Sequence, residues 1–197
     1  DFRDSANRET WAMQQETLNQ VAAAFKQLGV KSEIAGSYDK KRGHGFISTQ
    51  AEGCKVFAGI DPEAAVVIVL SCWCYAHHVA GPLQTHKGPI LLLGNFDGTF
   101  PGLVALLNHS GTLARMNTPH SRIWSTDFTQ DAVFMKNLKA WVQTGKIAYP
   151  AKHLADAAKL KVSKAAQVFA QPIAKDILQN KRILGQFDPG CMGMLNA

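Results

Sequence analysis

Two short segments constrain the fold of this chain more than any other feature. Residues 64–70 read AAVVIVL and residues 89–94 read PILLLG. Both are apolar without a break, and the first is rich in β-branched side chains. A half-exposed strand would interrupt such a run with a polar residue at every second position. A run with no interruption has to be covered on both faces, as an inner strand of a parallel sheet is. Neither run approaches the ~18 apolar residues that a membrane-spanning helix needs.

The flanking pattern agrees with a parallel sheet. From Arg8 to Leu28 the residues Trp11, Leu18, Val21, Phe25 and Leu28 fall three or four apart, and Gly29 follows as a stop signal. Val30–Ala35 reads as a short strand, and Gly36–Phe46, with Gly36, Gly43 and Gly45, as an irregular loop. Thr49–Phe57 reads as a helix, broken at Asp61-Pro62. A polar loop carrying His77 and His78 is expected between the two apolar runs. Pro101 opens a helix over Gly102–Arg115, with Leu103, Leu106 and Leu107 on one face. Ser121–Ser125 reads as a strand, and Gln130–Thr144 as an amphipathic helix carrying Val133, Phe134, Leu138, Trp141 and Val142.

Strands that alternate with helices predict an open α/β fold, a Rossmann-like doubly wound parallel sheet over residues 1–150. After Tyr149-Pro150 the composition shifts. Ala151–Asn180 is rich in Ala and Lys and helical in pattern, with Pro172 as a kink or break, and Arg182–Phe187 reads as a new strand. Residues 151–197 are therefore expected to form a helical connection and the first strand of a second α/β domain.

Composition excludes several alternatives. With 46% hydrophobic and 18% charged residues the chain has the make-up of a folded globular protein, not a disordered one. The net charge is +6, but Lys and Arg are scattered and the densest run, Lys40-Lys41-Arg42, lies in a Gly-containing loop. A solvated basic surface explains this better than a nucleic-acid site. Of the four cysteines, Cys72 and Cys74 flank one residue in a strand-like stretch, too close for an easy bridge. Reduced thiols and a cytoplasmic location are expected. The chain opens at Asp1 without an initiator Met or a signal-peptide pattern.

Open α/β sheets bind ligands at the carboxyl ends of their strands. The segments Ser71–Tyr75 (SCWCY) and Asn95–Pro101 therefore come first as candidate sites. A Trp at a strand end offers a wall for the C–H face of a sugar, although packing alone also accounts for Trp73 and Tyr75. Cys72, Cys74, His77 and His78 are soft or borderline metal ligands, but no second cluster completes a zinc site. The segment Gly94–Gly102, GNFDGTFPG, lets backbone approach a ligand but is not a dinucleotide fingerprint. The late stretch GCMGM, Gly190–Met194, reads as an irregular strand end. The chain has no GxSxG, Walker A or HExxH motif.

Taken in order, the opening DFRDSANRET, then SCWCY, then GNFDGTFPGLVALLN, then GCMGM resemble blocks of the L-fucose isomerase family. The similarity spans nearly the whole chain. It implies the N-terminal portion of a metal-dependent aldose–ketose isomerase acting on L-fucose, D-arabinose or a related sugar. The reaction would run through an ene-diol, with the metal as Lewis acid and carboxylates moving the proton. Members are homo-oligomers, typically hexamers, that use a divalent metal, usually manganese. Its ligands come from later domains, so no metal ligand or catalytic residue is expected in these residues. The sugar-contacting positions that match are Arg3, Trp73 and Met192. Here Phe96-Asp97-Gly98 replaces the family's Phe-Asn-Gly and Cys191 its Ser, which leaves the preferred sugar open. The family's first strand falls before the position of Asp1, so the sheet is expected to be one strand short. The competing expectation is a non-catalytic sugar- or effector-binding α/β domain that uses the same strand-end loops. Neither reading expects a nucleic-acid or membrane partner.

Overall fold

The computed structural model describes residues 3–97 and 102–182. The chain divides into two compact units, with the break between Ile147 and Ala148.

The first unit is an α/β structure on a three-stranded parallel sheet, ordered β1 (Val66–Leu70), β2 (Ile90–Asn95), β3 (Ser121–Ser125). Val66 pairs with Ile90 and Leu91 with Ser121, and the register holds to the ends of the strands. β2 is buried at all six positions, as its unbroken apolar run demands.

Side chains of β2 alternate between two cores. Leu91 and Leu93 join Ile123 and the buried faces of α1 (Asp4–Gln27) and α5 (Ala132–Thr144), through Val21, Phe25, Phe134, Leu138 and Trp141. Ile90 and Leu92 join Leu83 of α3 (Ala80–Thr85) and Ala105, Leu106 and Leu113 of α4 (Gly102–Arg115). Phe57 of α2 (Gln50–Ala58) packs against this second core. Each fully buried Leu contributes about 1.5–3 kcal/mol relative to exposure, so β2 is the main apolar anchor of the unit.

Several expectations need correction. β1 is not an inner strand: among the described residues only β2 pairs with it. Its ends Val66 and Leu70 are buried, whereas Val67, Ile68 and Val69 are half-buried, because no described strand pairs with the free edge of β1. Val30–Ala35 forms no strand. Among the described residues this segment has no ladder partner. The expected polar loop between β1 and β2 holds a 3-10 turn, Ala76–His78, and α3. Val79 and Leu83 bury their side chains there, which a solvated loop would not do.

In the second unit the helical stretch is shorter than expected. It consists of a 3-10 turn, Ala157–Lys159, and α6 (Lys164–Asn180). Pro172 lies inside α6 without ending it. No described residue of this unit is buried, so water can solvate the carbonyl that Pro172 leaves unbonded. The strand expected at Arg182–Phe187 falls outside the described residues, apart from Arg182.

α2 approaches the Ala76–His78 turn at Gly53, where a Cβ would stand 1.9 Å from the His78 carbonyl oxygen. That contact is backbone and cannot swing aside. Gly53→Ala should lower the unfolding free energy by about 1–3 kcal/mol in urea titrations. An unchanged midpoint would show that α2 does not dock there.

Candidate functional site

As far as Thr17, α1 buries polar side chains, whereas beyond it Val21, Ala24 and Phe25 are buried. Asn7, Gln14 and Thr17 are all inside. Gln14 explains why. Its Nε2 donates to the carbonyl of Val69 at 3.5 Å, and its Oε1 accepts from the Ser71 hydroxyl. Met13 Sδ lies 3.8 Å from Asn95 Nδ2. The helix thus runs antiparallel to the strands and carries its N-terminus past their carboxyl ends. Apolar groups at those positions would leave the strand-end polar atoms unsatisfied.

Three strand ends line this edge. After β1, Ser71 is fully buried and Cys72 nearly so, while Trp73 is half-buried. The Trp73 ring meets Tyr75 edge to face, with centroids 6.2 Å apart and planes at 81°. Tyr75 in turn contacts the rings of His77 and His78 at 5.6 and 5.7 Å. His78 is held down to about 4, chiefly by burial and then by the neighbouring His77 charge. His109 on α4 is likewise held down to about 4 by burial, with its Nδ1 2.8 Å from the Ala105 carbonyl oxygen. Both imidazoles are therefore neutral at pH 7.

After β2, Asn95 Oδ1 accepts from the Asp97 amide at 3.2 Å, and Phe96 is half exposed. Gly102 opens α4 directly against these ends, where a Cβ would stand 2.5 Å from the Asn95 carbonyl oxygen and 2.8 Å from that of Leu70. Only glycine allows α4 to begin so close to both strands. After β3, the Ser125 hydroxyl donates to Asp131, which caps α5 by accepting from the Val133 and Phe134 amides.

Of the residues singled out from sequence, Trp73 lies at this edge. Arg3 is the exposed N-cap of α1. It lies about 16 Å along the helix axis beyond Gln14, at ~1.5 Å per residue. Met192 and the GCMGM stretch fall outside the described residues, as does the part of the Asn95–Pro101 loop beyond Asp97. Among the described residues no group of three His, Cys, Asp or Glu side chains is arranged to hold a metal ion.

A polar clasp beside the site was not anticipated from sequence. Arg42 Nη2 bonds Asp4 at 2.8 Å, and Arg42 also pairs with Glu52 and the Ser48 hydroxyl. Buried His44 has Nε2 3.0 Å from the same Asp4 oxygen and 3.3 Å from Asn7. The clasp ties the 36–48 loop to the N-termini of α1 and α2. Part of it was readable: Thr49-x-x-Glu52 is a capping pattern, and Thr49 does accept from the Glu52 amide. The Glu52 carboxylate, however, bonds the Ser48 amide and Arg42. The Lys40-Lys41-Arg42 run reads as a solvated basic surface, because nothing local marks the distant acidic partner of Arg42.

Compared with family models, curated protein sequences and solved structures, the chain matches none of them. Among the described residues no helix is long and apolar enough to cross a membrane.

The Arg42 guanidinium, followed by His44, brings the Asp4 carboxyl from 3.8 to about 2. A lowered carboxyl stabilises the fold above its unfolded pKa and loses that contribution as pH falls through the folded one. The difference in urea midpoint between the parent protein and Asp4→Asn should therefore be full above pH 4 and shrink between pH 4 and 2. A difference independent of pH would show that Asp4 is not ion-paired in solution.

Proposed function

We propose that this chain is the N-terminal part of a metal-dependent aldose–ketose isomerase of the L-fucose isomerase type, shaping the sugar pocket and the contact between subunits. One observation supports it most. The carboxyl edge of the sheet presents the half-buried Trp73, braced by Tyr75, beside the anchored polar groups Ser71, Gln14 and Asn95. Aromatic wall and fixed polar atoms together suit a polyol, which has C–H faces to stack and hydroxyls to satisfy.

In this reading Trp73 packs against the carbon chain, and Arg3 brings a planar fork of donors to sugar oxygens from the end of α1. Met192 would fill space beside the chain carbons. The divalent metal belongs to residues outside this segment, and none of the described side chains is assigned to it. The six-fold homo-oligomer and the cytoplasmic location belong to the same proposal.

The fold proposed with this function is a doubly wound, Rossmann-like sheet. α1 and α5 pack on one face, and α3 and α4, with α2, on the other. Right-handed crossovers make a chain advance in opposite directions when its helices lie on opposite faces. A further strand on the free edge of β1 completes that arrangement. In the complete enzyme the amides of Val67–Val69 should then exchange with solvent as slowly as those of Leu91–Leu93. Fast exchange at β1 alone would reject the extra strand.

Trp73→Ala in the complete, assembled enzyme should cost about 1–3 kcal/mol of transition-state stabilisation, seen in kcat/KM, with metal content unchanged. Normal kinetics in an intact assembly would reject the pocket role. Sugar binding without isomerisation by the parent protein would instead assign the non-catalytic sugar-binding alternative.

A further inference from the structure

Between α2 and α3 lies an open cavity of about 420 Å³, within the roughly 300–1,000 Å³ of small-molecule sites. Phe57, Ile60, Pro62 and Pro82 supply its apolar walls, and no Lys, Arg, Asp or Glu lines it. Gly81, inside α3, belongs to the same lining. A Cβ added there would meet no atom within 4 Å, and the backbone is not in the left-handed region. Neither packing nor conformation among the described residues therefore calls for glycine, which is a weaker helix former than alanine. What its missing side chain leaves is open space over α3, continuous with the cavity.

The polar groups of the lining are few. Thr85 Oγ1 donates to the Pro82 carbonyl at 3.1 Å. His86 Nε2 lies 2.7 Å from the Ala64 carbonyl oxygen, which can only accept. In the neutral ring the proton is therefore on Nε2, and Nδ1 keeps a lone pair. Among the described residues that lone pair has no hydrogen-bond partner. The ring itself is braced: Phe57 meets it edge to face, with centroids 6.0 Å apart and planes at 81°. The cavity thus holds a fixed acceptor among apolar walls.

We propose that this cavity binds a small, neutral, planar aromatic molecule that directs one hydrogen-bond donor, such as an indole N–H or a phenol O–H, to His86 Nδ1. Planarity matches the flat C–H faces of Pro62 and Pro82 and the ring of Phe57. Neutrality follows from the lining, since a charged ligand would give up hydration and find no counter-charge. The donor follows from Nδ1, an acceptor that a purely apolar ligand would cover and leave unbonded. The site shares no lining residue with the Trp73 edge and does not depend on the sugar-pocket proposal.

The test titrates the full 197-residue chain with indole. Binding is followed by NMR of the His86 ring and by the rate at which a maleimide alkylates Cys54, an exposed free thiol on the cavity lining. Indole should bind saturably, with a Kd of about 1 mM or tighter, shift the His86 resonances and slow Cys54 alkylation. Indene, which has the same shape without the N–H, should bind about tenfold more weakly. Gly81→Leu fills the cavity from a position where a Cβ meets no atom, so it should abolish binding without lowering the urea midpoint. His86→Phe should erase the preference for indole over indene. Unchanged indole affinity in Gly81→Leu overturns the proposal, as does indole binding that leaves Cys54 alkylation unslowed. Equal affinity for indene removes the role of Nδ1 and overturns it too. No indole binding, with sedimentation showing a dimer that shields Cys54, assigns the groove to a second copy and rejects the small-molecule site.

Discussion

The two-sided burial of Ile90–Asn95 is the constraint on which the first unit depends. Leu91 and Leu93 need cover on one face and Ile90 and Leu92 on the other, and no single helix layer supplies both. α1 and α5 close one side, while α3 and α4 close the other. The strands beside β2 need less cover. β1 keeps a half-exposed middle, and β3 exposes Trp124 while burying Ile123. Position in the sheet, not hydrophobicity, separates them: β1 is as apolar as β2, but among the described strands only β2 is paired on each side.

From that anchor the strand ends inherit their rigidity. Leu70 and Asn95 present carbonyls that touch the backbone of α4 at Gly102, and Asn95 and Ser71 are held by α1 through Met13 and Gln14. A side chain carried by such ends has little freedom to relax when a ligand arrives, which lowers the ordering cost of binding. The Asp4–Arg42–Glu52 clasp extends this rigidity to the loop bordering α1. The same packing that holds Trp73 also encloses the two thiols beside it. The edge thus combines an aromatic surface with fixed hydrogen-bonding groups.

The second unit is organised on a different basis. Its helix α6 is capped at both ends: Ser163 accepts from the Ala166 amide, and Lys181 adopts the left-handed conformation that ends the helix. Phe169 and Leu178 are more than 70% exposed, so local hydrogen bonding and not a core defines the element. That is why a Pro in its interior is tolerated there. In the first unit a missing hydrogen bond at a helix interior would open a buried carbonyl.

Local pattern alone determined the strongest elements. The unbroken apolar runs mark β1 and β2, the positions of α4 and β3 are readable from local pattern, and the strand-end segment holding Trp73 follows from the strand assignment. Periodicity works there because each element's burial is recorded in its own residues. Tertiary structure decided whatever needs a partner distant in sequence. Val30–Ala35 has strand-like residues and no strand, since a ladder needs a second chain segment. Arg42 looks like a surface charge until the fold brings it to Asp4, 38 residues away. Gln14 carries no local sign of burial, and only the ends of β1 give its amide partners. In each case the deciding energy lies in a contact between segments, and a contact of that kind leaves no periodic trace in either segment alone.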